Sequence, residues 1–379
     1  MKAMVLSQPG PVETSPLQLR DLPVPEPGQG EVLIRVEVCG VCRTDLHVVE
    51  GELIPHQPEI VPGHEVVGHV ERLGPEASRF QIGDRVGVAW LHASCGVCPY
   101  CRRGDENLCD NPRFTGYDVN GGYAEYTVAP EDFIYPIPEG VTSREAAPFL
   151  CAGIIGYRAL RRSDIQPGQP LGLYGFGASA HIVIQVARRW GCPVYVCTRG
   201  EKHQALAREM GAVWVGPADA KPPEKLRSSI LFAPAGELVP VALSALDKGG
   251  TLALAGIYMT PIPEMDYQRY LFLERNLRSV TANTREDGEA LMRLAAEVPL
   301  HTHTQEYPLE DANLALQALK TDRINGAAVL RVQTEGAELT ALASEEALGK
   351  IWNDAAEDEA WREFLTHTTN VQNVYHPSV

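Results

Sequence analysis

Apolar and polar positions change rhythm partway along the chain. Up to about residue 150 the apolar positions come in short alternating stretches, as in Glu31-Val32-Leu33-Ile34-Arg35-Val36-Glu37-Val38, and Pro and Gly punctuate the rest. Period-two alternation between turn residues predicts a β-rich, loop-rich segment. From about residue 165 the texture differs. Leu171–Tyr174 and Val194–Cys197 are short apolar runs, each followed by helical spacing, over Ala180–Trp190 and Lys202–Met210. Ser229–Phe232 and Thr251–Ala255 predict two later strands, with a helix over Val239–Leu246 between them. Strands alternating with helices predict an α/β unit with a doubly wound parallel sheet. Residues 299–333 return to mixed texture and end in a predicted strand, Ala327–Val332.

The last 46 residues, 334–379, have nine acidic residues against two basic ones. Leu339, Leu342, Leu348, Ile351 and Trp352, then Trp361, Phe364 and Leu365, give an amphipathic helical rhythm. This stretch is expected to be an appended acidic tail. A chain of 379 residues is long enough for about two further domains. Its formal charge of -16 disfavours nucleic acid and anionic membranes as partners. No apolar run approaches the ~20 residues of a membrane span. The opening Met1-Lys2-Ala3-Met4-Val5-Leu6 runs straight into strand-like sequence rather than a secretory signal, so a reducing cytoplasm is expected.

In that setting cysteines are free to bind metal. Cys95, Cys98, Cys101 and Cys109 follow the spacing C-x2-C-x2-C-x7-C. Four thiolates on one loop can close a tetrahedron around Zn²⁺, which leaves no open coordination position. Such a site can hold a loop but cannot bind a substrate. Disulfides fit poorly, because nine cysteines in 379 residues are far from a disulfide-dense scaffold. The spacing also differs from the common ferredoxin runs.

A second motif lies between the predicted strand Leu171–Tyr174 and the helix after it. Gly175-Phe176-Gly177-Ala178-Ser179-Ala180 fits G-x-G-x-x-A, a dinucleotide-binding fingerprint. Gly175 permits the tight turn, Gly177 lets backbone approach a pyrophosphate at the helix N-terminus, and Ala180 allows close packing. The end of the next strand carries Thr198 and Arg199, where NAD sites usually place an acidic residue. A hydroxyl and a guanidinium can bind a 2′-phosphate that a carboxylate would repel. The expected cofactor is therefore NADP(H) in preference to NAD(H).

Three stretches carry a resemblance: Cys42-Arg43-Thr44-Asp45-Leu46-His47, Gly63-His64-Glu65, and the four-cysteine loop. Over about residues 1–333 the chain resembles the zinc-dependent medium-chain alcohol dehydrogenases. The resemblance implies a β-rich GroES-like catalytic domain at residues 1–151 and 286–333, with a structural zinc lobe at about 92–112. It implies a Rossmann cofactor domain at 152–285, beyond which 334–379 is extra. It implies two zinc ions per chain, one in the lobe and a catalytic one bound by Cys42, His64 and Cys151. A Cys2His set leaves one position open. Asp45 is then expected to hydrogen-bond His64, and Glu65 to stand beside the metal as a transient ligand. Thr44 and His47 match a proton relay, and Arg43 a pyrophosphate contact. Trp90 matches a bulky wall of the substrate pocket that favours unbranched primary alcohols or aldehydes, and Leu53 a roomier outer wall.

Three departures stand out: Ile155 replaces a common Thr, Ala327 replaces an Arg that reaches the cofactor phosphates in many members, and the 46-residue tail is not part of the usual pattern. The implied activity is reversible hydride transfer between a nicotinamide and a small-molecule alcohol or aldehyde, by a homodimer or homotetramer. A polyol or sugar dehydrogenase, and a zinc- and nucleotide-binding sensor without catalysis, remain as alternatives.

Overall fold

The computed structural model describes residues 1–332, so the acidic stretch 334–379 lies outside the described residues. Two sheets organise the described chain. One has seven strands and is built around Glu31–Val41. That strand pairs antiparallel with Glu65–Leu73, Tyr126–Pro130 and Ala327–Arg331. Arg85–Val88 and then Ile134–Pro136 extend the sheet on one side, and Thr304–Pro308 closes the other. Within Glu31–Val41, Val32, Ile34 and Val36 are fully buried while Arg35 and Glu37 are half-buried, as alternation requires.

The second sheet has six parallel strands. Its spatial order is Trp214–Gly216, Val194–Cys197, Leu171–Tyr174, Leu226–Leu231, Leu246–Leu254 and Asn276–Ser279. The chain builds outward to one edge, returns to the middle, and builds to the other. The order therefore reverses between Leu171–Tyr174 and Leu226–Leu231, and ligands of doubly wound sheets bind at the carboxyl ends beside such a reversal. Leu171–Tyr174 and Val194–Cys197 are buried throughout, because helices cover both faces of a parallel sheet. The helix Ala178–Arg189 buries Ile182, Val183, Val186 and Ala187, and ends with Arg188 and Arg189 beside its carbonyls.

The sequence pattern predicts strands 171–174 and 194–197 with the observed bounds, and the neighbouring helices within two residues. The strand predicted from Ser229 starts at Leu226, and the one predicted from Thr251 starts at Leu246. In both, the early residues are polar or include Gly and carry no apolar run. Trp214–Gly216 and Asn276–Ser279 go unpredicted, because edge strands bury little and need no apolar run.

His92 and His181 sit in the cores, 3% and 0% exposed, and burial pushes both imidazoles down to about 4. Each gains a proton only on unfolding, so below about pH 6.5 the unfolded chain binds more protons and stability falls with pH. From pH 6.5 to 5 each should cost about 2 kcal/mol. Urea unfolding across that range should show a shallower acid loss for His181→Leu than for wild type.

Candidate active site

Pairing register brings distant residues together. Cys42 follows the strand Glu31–Val41 directly, and His64 precedes Glu65–Leu73 directly. These strands pair with Gly40 opposite Glu65, so Cys42 and His64 emerge side by side at one end of the sheet. Val66 pairs with Val88 on the next strand, which puts Trp90 opposite His64. Their ring centroids lie 4.9 Å apart in an edge-on contact. Cys151 comes from the other direction. It caps the helix Ala152–Ser163 after a short 3-10 turn, and its Sγ lies 3.5 Å from that of Cys42. The ligand atoms of Cys42, His64, Glu65 and Cys151 all lie within 4.8 Å of one another.

Asp45 fixes this cluster. Its side chain, on the first turn of the helix Arg43–Glu50, accepts from the Cys42 amide at 2.9 Å and the Gly63 amide at 3.3 Å. It also bonds His64 Nδ1 at 2.9 Å and the Tyr123 hydroxyl at 3.2 Å. Gly63 has φ of 97°, and a Cβ there would overlap the Tyr123 ring. With Nδ1 held by Asp45, His64 Nε2 is buried and has no conventional N or O hydrogen-bond partner among the described residues. A buried nitrogen left unpaired is costly unless something else completes it.

The electrostatics call for a cation. The two thiols share their protons unequally. The bond from Cys151 holds the Cys42 thiol well below its ordinary value, and the same bond pushes Cys151 well above. Burial, then the Cys42 charge, raises the Glu65 carboxyl. Burial would lower His64, but the Asp45 carboxylate and the Cys42 sulfur together hold the imidazole up. Two sulfurs, a carboxylate and an imidazole with one free nitrogen fit a divalent ion such as zinc.

The four-cysteine loop forms a second cluster of the same kind. Cys95, Cys98, Cys101 and Cys109 present sulfurs within 4.8 Å of one another. Backbone amides point at these sulfurs: Cys98 N lies 3.3 Å from Cys95 Sγ, and Asn111 N 3.3 Å from Cys109 Sγ. Amides of Cys101 and Asp110 pull the Cys98 thiol down to about 6, while burial pushes Cys109 up to about 11. All nine cysteines are free, so no disulfide competes.

The other predicted residues fall into three groups. Thr44 is buried with its hydroxyl 3.8 Å from Cys42 Sγ. His47 pairs through Nδ1 with Glu52, and its ring lies 5.8 Å from that of Tyr258. Arg43 is exposed at the start of its helix, and Leu53 packs half-buried against the seven-stranded-sheet core. Trp90 stacks on Phe114 at 4.9 Å and leans on Tyr117 at 5.9 Å, so it belongs to an aromatic group rather than standing alone.

The nucleotide motif lies at the reversal of the parallel sheet. Gly175 has φ of 91°, and a Cβ there would come within 2.9 Å of the Ala233 amide. Around Gly177 a Cβ would meet nothing within 4 Å, which leaves open space over the start of the helix Ala178–Arg189. Phe176 and Ala180 are buried, while Ala178 and Ser179 are half-buried. Thr198 is buried just beyond Val194–Cys197, its amide bonded to Gly216 O at 3.0 Å. Arg199 beside it is exposed. Ile155 is half-buried and Ala327 is buried.

Tyr123, Glu52 and Phe114 were not foreseen. Their neighbours in sequence give no signal, because each meets the site only through strand pairing or a loop return.

Known proteins share the sequence pattern and the fold of this chain. The alcohol dehydrogenase GroES-like domain matches residues 28–139, and the zinc-binding dehydrogenase domain matches 180–297. "Probable alcohol dehydrogenase AdhA" of Mycobacterium tuberculosis is 51% identical over 88% of this chain and 97% of its own. The chain belongs to the zinc-dependent medium-chain alcohol dehydrogenase family. An alcohol dehydrogenase of Geobacillus stearothermophilus is 34% identical over 88% of this chain and 100% of its own. A solved structure of the cobalt- and zinc-bound thermostable alcohol dehydrogenase from Pyrobaculum aerophilum superposes with a TM-score of 0.79. It is 27% identical and covers 88% of this chain and 99% of its own. As a member of this family the protein is an oxidoreductase that acts on a small-molecule alcohol with a nicotinamide cofactor. Among the described residues no helix is long and apolar enough to cross a membrane.

In this alcohol dehydrogenase Gly175→Ala should strain the turn and crowd Ala233. We expect the Kd for nicotinamide nucleotide to rise about tenfold, by fluorescence titration, with zinc content unchanged.

Proposed function

We propose a zinc-dependent alcohol dehydrogenase and aldehyde reductase that prefers NADP(H) and acts on primary alcohols and aldehydes. The supporting observation is His64: Asp45 holds its Nδ1, and the ring clusters with the Cys42 and Cys151 sulfurs, the ligand atoms within 4.8 Å of one another. Cys42, His64 and Cys151 would bind the catalytic zinc, with Glu65 as a transient fourth ligand, and the four-cysteine lobe would bind a structural zinc. When bound, the catalytic ion supplies Lewis-acid stabilisation of negative charge on the substrate oxygen, and the nicotinamide gives or takes the hydride.

The chain's own groups do the remaining work. Asp45 fixes His64 in one tautomer. The Thr44 hydroxyl takes the proton from the alcohol in oxidation and returns one to the product in reduction. His47 exchanges that proton with solvent, and Glu52 orients its ring. Trp90, stacked on Phe114, narrows the inner pocket and favours unbranched chains. Leu53 leaves the outer pocket wider. Gly175 and Gly177 make room for the pyrophosphate with Phe176, Ala178 and Ser179, while Arg43 approaches it from the other sheet. Thr198 and Arg199 take the 2′-phosphate. The two sheets would correspond to a catalytic domain, 1–151 and 286–333, and a cofactor domain, 152–285. A homodimer or homotetramer in a reducing cytoplasm suits an enzyme that needs free thiols.

Metal analysis tests the central assignment. Wild type should hold two zinc ions per chain, and Cys42→Ser one, with turnover lost and the lobe zinc kept. Full activity in Cys42→Ser would reject the site. Cofactor choice is tested separately: kcat/KM should favour NADPH over NADH, and Arg199→Ala should cut that ratio about tenfold through a lost charge-assisted bond. Equal kcat/KM for the two nucleotides in wild type would reject the preference. Nucleotide binding with no oxidation across a panel of aldehydes would favour a sensor instead.

A further inference from the structure

The four-cysteine lobe has almost no core of its own. None of residues 94–105 is buried. Glu106 and Asn107, on the 3-10 turn just before Cys109, are instead 6% and 7% exposed. Both are spent on partners far along the chain. Glu106 takes both the backbone amide of Arg285, at 2.6 Å, and its guanidinium, at 2.9 to 3.1 Å. Asn107 donates to Thr281 O at 2.9 Å and accepts from Arg158 Nη2 at 3.3 Å. Arg158 also binds Asp287 at 2.6 Å, and Asp287 is 1% exposed.

Arg158 lies on the helix Ala152–Ser163, whose capping residue is Cys151. The separation is about two turns, or ~10 Å. Asn107, two residues before the lobe cysteine Cys109, is therefore joined by its hydrogen bond with Arg158 to the helix that presents Cys151. We infer that Asn107 is a positioning residue: it links occupancy of the four-cysteine lobe to the placement of Cys151 in the catalytic centre. This rests on the metal assignments proposed above.

The physical argument has two steps. With so little apolar burial, the lobe depends on its ion for shape, and the ion's binding energy is the lobe's folding energy. An empty lobe withdraws Asn107 and leaves the largely buried Arg158 with Asp287 alone. The helix then settles differently at its start. Metal ligation there tolerates only about ±0.2 Å in distance, so the catalytic ion is held less well while the lobe has no direct contact with it.

Zinc release tests the link. Wild type and variants are challenged with a colorimetric chelator, and the catalytic phase is the one missing in Cys42→Ser. Asn107→Ala should speed that phase about tenfold, the scale of losing an outer partner of a metal ligand. Asn107→Asp keeps an acceptor for Arg158 and should restore the slow rate, although it loses the bond to Thr281. Cys98→Ser, with an emptied lobe, should match Asn107→Ala, and the double variant should add nothing further. Cobalt placed in the catalytic centre should show a shifted visible spectrum in Asn107→Ala and not in Asn107→Asp.

A wild-type rate and spectrum in Asn107→Ala would overturn the link, as would equal acceleration in Asn107→Ala and Asn107→Asp. Both leave the metal assignments standing if wild type carries two zinc ions. A wild type with one zinc ion would overturn those assignments and the link together.

Discussion

The carboxylate of Asp45 is the constraint on which the site depends. It is 1% exposed and buried with its charge, an expensive arrangement unless every lone pair is used. Four donors use it: the amides of Cys42 and Gly63, His64 Nδ1 and the Tyr123 hydroxyl. They come from a helix start, a strand start and a distant loop. One side chain thus fixes the backbone under Cys42 and the ring orientation of His64. Tyr123 and the left-handed Gly63 interlock behind it, so the arrangement has little room to relax.

Around that anchor the protein makes thiolates in two different ways. At Cys42 and Cys151 the sulfurs are in contact, and each sets the other's proton affinity. An ion that displaces the shared protons relieves a crowded, water-excluded pair. In the lobe, backbone amides around Cys98 do the equivalent work at an exposed surface. The buried centre suits an ion that meets substrate, since its charges act in a low dielectric. The exposed one suits an ion that replaces a missing core. Trp90, stacked on Phe114, stands against His64, so this aromatic pair and the Cys42–His64–Cys151 cluster are placed by the same strand register.

The cofactor cleft was legible because its signal is local. Leu171–Tyr174, the glycines after it and the apolar stripe of the next helix lie within about twenty residues, and each constrains its neighbours. The lobe was legible for the same reason, as four ligands on one loop. The edge strands Trp214–Gly216 and Asn276–Ser279 were not, since half-solvated strands leave no apolar pattern. Phe114 and Tyr117 as partners of Trp90, and Glu52 beside His47, also left no trace in sequence.

Sequence alone determined the alternation of strands and helices, the glycine turn between Leu171–Tyr174 and the next helix, and the spacing of the four lobe cysteines. Those features follow from short-range sterics and periodicity. The tertiary structure decided that Cys42, His64 and Cys151 meet, that His64 keeps one nitrogen free, and that Asn107 touches the helix of Cys151. Such contacts join residues as far as 109 positions apart. They are fixed by strand register and by the packing of a helix against a sheet, neither of which is written at any one position in the chain.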